Sequence, residues 1–270
     1  MITYPEIETE SIQQGVPPQT IEKDYHLDWY LAALWSLNLF PAFAFYGGTA
    51  IKKLYVRNHR FSEDIDLISE ERLSPEAIGK TLEKAHQFLQ QEANLFYSCH
   101  PDKIQEIGTQ TRFVVDYRGF SEIGGVKRFL LDFAQGIEEL PLPVLKKLIS
   151  PYTDLKDKQI KIQALPLEVI CAEKLALIVD RRRKEARDIY DLWSILTQAM
   201  EFDSQTFMAR YEKTLGYKVD FSIVQASFQD FDFKNAWEIR LKHQVPDLPP
   251  FDEVVSKLIE KLKVLWKKGM

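Results

Sequence analysis

The sequence predicts a mixed α/β (α+β) fold, in which a mixed or antiparallel sheet in the N-terminal part is followed by a helical C-terminal part. Three observations carry that expectation. Short aromatic and apolar runs recur between Phe43 and Ala134, glycines punctuate them, and from Pro166 onward the apolar residues switch to helical spacing. The change of texture places a domain boundary near residue 160, giving domains 1–160 and 161–270. With 270 residues, 45% of them hydrophobic, the chain is long enough to bury a core in one large domain or in two smaller ones.

Taken in order, the Gly15-Val16-Pro17-Pro18 punctuation and Thr20 to Lys23 lead into a capped helix with apolar residues at helical spacing from Tyr25 to Leu37. Phe43 to Tyr46 reads as a strand, Gly47-Gly48 as a tight turn and Thr49 to Val56 as a helix. Ser62 to Ser69 alternates as a strand does, so Ser62, Asp64 and Asp66 share one face while Ile65 and Leu67 take the other. Pro75 to Ala93 is an amphipathic helix, and Arg112 to Arg118 and Val126 to Ala134 are further strands separated by Gly119, Gly124 and Gly125. Helices follow over Leu167 to Asp180, Ala186 to Met200 and the lysine-rich Val254 to Lys268.

Composition narrows the function classes. A formal net charge of -5 excludes a general coat of positive potential, so any nucleic-acid contact has to come from local patches. Cys99 and Cys171 stand far apart with no further cysteine, which suggests neither a zinc cluster nor a disulfide framework. No stretch approaches the roughly 20 uncharged apolar residues of a membrane span, and Met1 to Glu10 lacks a basic start followed by an apolar run. The expectation is a cytoplasmic protein without a membrane partner.

Two aspartates two apart on a strand bring their carboxylates side by side, and such like charges repel unless a cation lies between them. Asp64 and Asp66 are therefore candidate ligands of a divalent metal. The preceding Gly47-Gly48-Thr49 turn opens a helix, whose backbone N–H groups can receive a phosphate, with the Thr49 hydroxyl as a further donor. Each feature alone is common; their order is what matters. A third carboxylate, for a two-metal site, is expected on a neighbouring strand. Asp132, the one charge among apolar residues in Phe129 to Ala134, fits best, and Asp116 is the runner-up; the alternative for either is a buried ion pair with an arginine.

Projected on a helix, Lys174 falls between Leu167, Ile170, Leu177 and Ile178, as a phosphate-binding lysine fixed beside a cleft would, or a lysine snorkelling from the core rim. Asp188 falls between Leu192 and Ile195, as a site residue or an N-terminal cap. One continuous helix would hold Lys174 and Asp188 about 21 Å apart, so a shared site requires a turn through Arg181 to Glu185. That turn would expose the basic run Arg181 to Lys184, an attraction for a polyanion or simply a solvated charge run.

Together, Ile21 to Tyr25, Phe45 to Ile51, Arg60 to Leu67, Glu173 to Ala176 and Arg187 to Leu192 resemble the AbiEii-type (MenT-like) nucleotidyltransferase toxins, of the DNA polymerase beta-like nucleotidyltransferase superfamily. The resemblance implies a mixed-sheet nucleotidyltransferase catalytic domain followed by a helical domain that completes the cleft. It implies that Gly48 and Thr49, with Gly47, face the nucleotide phosphates, that Asp64 and Asp66 bind Mg2+, that Lys174 contacts the triphosphate, and that Asp188 completes the active site. Asp132 as third metal ligand is carried over more loosely. The expected reaction is transfer of a nucleoside monophosphate from a nucleoside triphosphate to a hydroxyl of RNA, the acceptor end of tRNA, with Asp132 or Asp188 accepting the proton. A separate antitoxin protein is the implied partner.

Residues 200 to 270 carry no family pattern, and Lys257, Lys261, Lys263, Lys267 and Lys268 form a candidate RNA-contact surface that ordinary solvation explains equally well. Two other readings compete: the same chemistry on a protein or small-molecule hydroxyl, such as an antibiotic's, and an inert nucleotide- or partner-binding module. Retention of a costly charge cluster argues against the inert module.

Overall fold

The computed structural model describes residues 2–120, 125–180, 185–198 and 202–269. The run Arg181 to Lys184, Gly124 and Met200 lie outside them. The chain divides into two compact units, one of residues 1–54 and 61–165, the other of residues 55–60 and 166–270.

The first unit is built on an eight-stranded mixed sheet: β1 (Ala44–Tyr46), β2 (Asp64–Ser69), β3 (Tyr97–Cys99), β4 (Gln105–Ile107), β5 (Gln110–Tyr117), β6 (Lys127–Gln135), β7 (Val144–Lys147) and β8 (Lys161–Ala164), in the order β3-β5-β6-β2-β1-β8-β7 with β4 also on β5. β2 runs parallel to β6 and β1 parallel to β8; the other pairs are antiparallel. β3, β4, β7 and β8 have three or four residues each, too few for alternation to announce them.

Two helices open the unit, α1 (Tyr4–Gln14) and α2 (Pro18–Ser36). The expected cap of α2 is absent: Pro17 stands at its N-cap, with Pro18 in the first turn, and no side chain caps it. From Ile21 to Leu34, α2 is buried almost without interruption, even at Glu22, Asp24, His26 and Asp28. Its charges are matched inside the unit. Lys53 lies 2.7 Å from Asp24 and 2.5 Å from Asp28, Tyr152 donates to Asp24, and Glu22 pairs with Lys127. The Glu22 to Tyr25 motif thus serves the core, where an unpaired charge would be costly.

The helix expected over Thr49 to Val56 is instead a four-residue α3 (Gly47–Ala50) that widens into a π turn over Ile51–Tyr55. α4 (Pro75–Ala93) covers its predicted span, capped by Ser74, which accepts from the Ala77 amide at 3.2 Å, and buries Ile78, Leu82, Ala85 and Leu89.

The second unit is helical: α5 (Leu167–Val179), α6 (Ala186–Gln198), α7 (Ser204–Leu215), α8 (Phe221–Ser227), α9 (Phe231–Leu241) and α10 (Phe251–Gly269). α10 buries Val254, Leu258, Leu262 and Trp266 at a four-residue repeat and leaves its lysines exposed.

Candidate active site

In the first unit, the site residues gather at the start of β2. Tyr46 pairs with Asp66, so the chain leaves β1 beside that carboxylate and turns at once. Gly47 makes the turn at φ +80°, and a Cβ there would lie 2.2 Å from Asp66 Oδ2. Only glycine meets both demands, the left-handed backbone and the close approach. Asp64 stands two residues before Asp66, its Oδ1 accepting from the Leu130 amide at 3.3 Å. Burial pushes its carboxyl up, the Leu130 amide opposes that, and Glu63 and Asp132 add to the rise.

Thr49 departs from expectation. It is buried, and its hydroxyl donates to the main-chain oxygen of Asp64, so it ties α3 to β2 instead of standing open as a donor for phosphate.

Asp132 lies directly across from Asp66 in the parallel β2–β6 register, and Arg112 directly across from Asp132 in the antiparallel β5–β6 register. Arg112 donates from Nε to Asp132 Oδ1 and from Nη2 to Oδ2, both at 2.7 Å. The arginine alternative holds here because a buried carboxylate finds its partner one strand away. The hydrogen bond with Asp132 is the main reason the Arg112 guanidinium is raised above its usual range; burial opposes it, and Asp132, Asp64 and Asp66 reinforce it through their charges. Asp116, the runner-up, pairs instead with His100 at 3.1 Å and with Lys103 and Arg128 at 3.5 Å. It faces a cavity of about 540 Å³ lined also by Phe96, Tyr117 and Arg118.

Among the described residues, no three His, Cys, Asp or Glu side chains come together as a group able to hold a metal. Asp64 and Asp66 fit a divalent cation as a pair: both are oxygen donors on one strand face, and burial already makes the charge on Asp64 costly.

The second unit holds Lys174 and Asp188. α5 ends at Val179 and α6 begins at Ala186, so the two residues are not on one helix, and Lys174 Nζ lies 2.7 Å from Asp188 Oδ1. Lys174 also lies 2.8 Å from Asp191 Oδ2. Burial alone would push the lysine ammonium down; the two aspartates outweigh it and hold it above its usual range. Asp191, fully buried, is the hub. It accepts from Arg60 Nε at 2.6 Å and Nη2 at 2.9 Å, and His59 Nε2 lies 3.0 Å away. Burial works to raise the Asp191 carboxyl, yet Arg60, Lys174 and His59 together hold it well below the carboxylate range. Arg60 also donates to Gln244, and His59 meets Ser194.

Each unit therefore brings together its own set, Gly47, Asp64, Asp66 and Asp132 in one and Lys174 and Asp188 in the other. The sequence reading missed Arg112, His59, Arg60 and Asp191 as contributors. Arg60 and Asp191 lay within the motifs that carried the resemblance, which was the available signal; Arg112 had none.

The family model described as "Nucleotidyl transferase AbiEii toxin, Type IV TA system" matches residues 29–257. Among solved structures, the nucleotidyltransferase toxin MenT4 from Mycobacterium tuberculosis matches with a TM-score of 0.65 at 17% identity, over 98% of this chain and 90% of that one, which shows the fold. An antigenic nucleotidyltransferase-like protein from Paracoccidioides brasiliensis is similar at 18% identity and a TM-score of 0.41, over 76% of this chain and 93% of its own. Among curated proteins none matches. No helix among the described residues is long and apolar enough to cross a membrane. The family implies a nucleoside triphosphate substrate and an antitoxin partner. The chain belongs to the AbiEii family of nucleotidyltransferase toxins of type IV toxin–antitoxin systems, and it is a nucleotidyltransferase.

Proposed function

We propose that this toxin transfers a nucleoside monophosphate from a nucleoside triphosphate to a hydroxyl of RNA, the acceptor end of tRNA, with Mg2+ held by Asp64 and Asp66, and that it does so in the cytoplasm. The observation that carries the metal-dependent chemistry is the Gly47 turn, closed so tightly on Asp66 that no side chain fits between them. Such a turn sets backbone N–H groups beside the carboxylates that would hold the cation, where they could receive a phosphate. When bound, the cation supplies activation of the acceptor hydroxyl and neutralisation of the departing pyrophosphate.

The acceptor oxygen forms its bond to the α-phosphorus as the bond to pyrophosphate breaks, and the hydroxyl proton leaves to a base. Asp64 and Asp66 would hold the cation, which would supply charge for orienting the triphosphate. Lys174, kept cationic by Asp188 and Asp191, supplies the positive charge for the phosphates. Asp132 and Asp188 are the candidate proton acceptors; Asp132 is paired with Arg112 and Asp188 with Lys174. A domain division at residue 160 is part of this reading, the first domain carrying the carboxylates and the second the lysine.

The test is incubation of the purified protein with total bacterial RNA, Mg2+ and each labelled nucleoside triphosphate separately, beside the Asp66→Ala variant. Label in tRNA that depends on Asp66 is the expected result and names the nucleotide. Label in protein or in a small molecule, with RNA unlabelled, would replace RNA as the acceptor.

A further inference from the structure

The third carboxylate of the strand cluster is already spoken for. Arg112, Asp132 and Asp66 stand side by side across β5, β6 and β2. The middle residue is turned to the arginine through two short, parallel hydrogen bonds. Asp132 is 5% exposed and the Arg112 side chain 32%, so this fork is partly shielded from water and geometrically fixed. A divalent cation reaching Asp132 has to displace the guanidinium or share carboxylate oxygens with it, setting like charges side by side.

We propose that Arg112 keeps Asp132 out of the metal site, so that the protein without nucleotide takes one divalent cation, on Asp64 and Asp66. This rests on the metal-dependent reading above and narrows it. Arg112 acts as a positioning residue: it fixes Asp132, and through it the number of ions, without itself touching the metal.

The experiment titrates Mn2+ into the full-length protein without nucleotide, reading bound ion by electron paramagnetic resonance and calorimetry. The native protein is expected to bind one Mn2+, and Asp66→Asn to weaken it at least about tenfold. The paired change Arg112→Gln with Asp132→Asn removes both charges and retains a hydrogen-bonded pair; it is expected to leave the Mn2+ affinity within about twofold, since no ligand is lost. Arg112→Gln alone frees Asp132 and is expected to add a second Mn2+ or to tighten the first about tenfold. Should the single variant fail to fold by circular dichroism, the neutral pair carries the test. Two ions on the native protein, a loss in the neutral pair as large as in Asp66→Asn, or an unchanged single variant would each overturn the proposal while leaving the metal-dependent reading in place. No Mn2+ on the native protein, or binding indifferent to Asp66→Asn, would overturn both.

Discussion

The two charged clusters of this protein are built on opposite principles. In the helical unit, Lys174 and Arg60 meet Asp188 and Asp191 in a buried network of opposite charges, with His59 beside Asp191. On the strands, Asp64, Asp66 and Asp132 crowd one face with Arg112 on Asp132, and Asp64 is left with a raised carboxyl. A network of opposite charges holds shape, because removing a member leaves a buried charge less well compensated. Carboxylates crowded on one face work against the fold, which is the cost that the proposed cation site would carry.

Substitutions should therefore separate stability from activity. The largest effect is expected from Lys174→Met, which takes from Asp188 and Asp191 the buried ammonium they share while Arg60 and His59 stay on Asp191: a loss of about 3 kcal/mol in stability, read by denaturant melts, together with loss of nucleotide transfer. A melt unchanged from the native protein would break the comparison. Asp66→Ala should do the reverse, lowering the rate of labelled transfer on the order of a thousandfold, or about 4 kcal/mol of barrier, while the melting temperature holds or rises. Gly47→Ala, which forces a Cβ onto Asp66 in a left-handed turn, is expected to cost about a hundredfold in rate by misplacing that carboxylate.

A separate effect belongs to pH and needs no substitution. Burial, with some help from Lys127, depresses the His26 ring from 6.5 to about 3, and burial depresses His86 to about 4. Both are neutral in the fold. The stability this contributes is fully present above pH 6.5 and is lost as pH falls toward those values, because the unfolded chain takes up protons that the fold refuses. Each histidine costs about 1.4 kcal/mol per pH unit between pH 6.5 and its folded value. Melts from pH 7 to 4.5 check this, and replacing His26 with an apolar residue should flatten the slope.

Much of this was legible where periodicity carries information. Lys174 was placed among apolar neighbours by helical projection alone, and it is buried. The alternation around Asp64 and Asp66 located β2 because six residues are enough to show it. The helices α7, α8 and α9 went unread although Asp203, Asp220 and Asp230 each cap one, a signal that single aspartates in a polar stretch do not make loud. The hydrogen bond of Thr49 to the Asp64 main-chain oxygen was not legible, because a hydroxyl in a Gly-rich turn looks the same whether it faces a ligand or a neighbouring carbonyl. The Arg60–Asp191 and Arg112–Asp132 pairs were out of reach for another reason: they join residues 131 and 20 positions apart, and no local spacing rule connects such partners.

Residues 55–60 group with 166–270, so the helical unit is not a contiguous stretch of the coding sequence. A reading frame stopped after Leu165 would still encode His59 and Arg60 but not Asp191. A frame begun at Pro166 would encode Asp191 and Lys174 without their arginine. Neither half of the gene is a transferable cassette, and shuffling between family members can succeed only where the six-residue insert travels with the distant helices it belongs to.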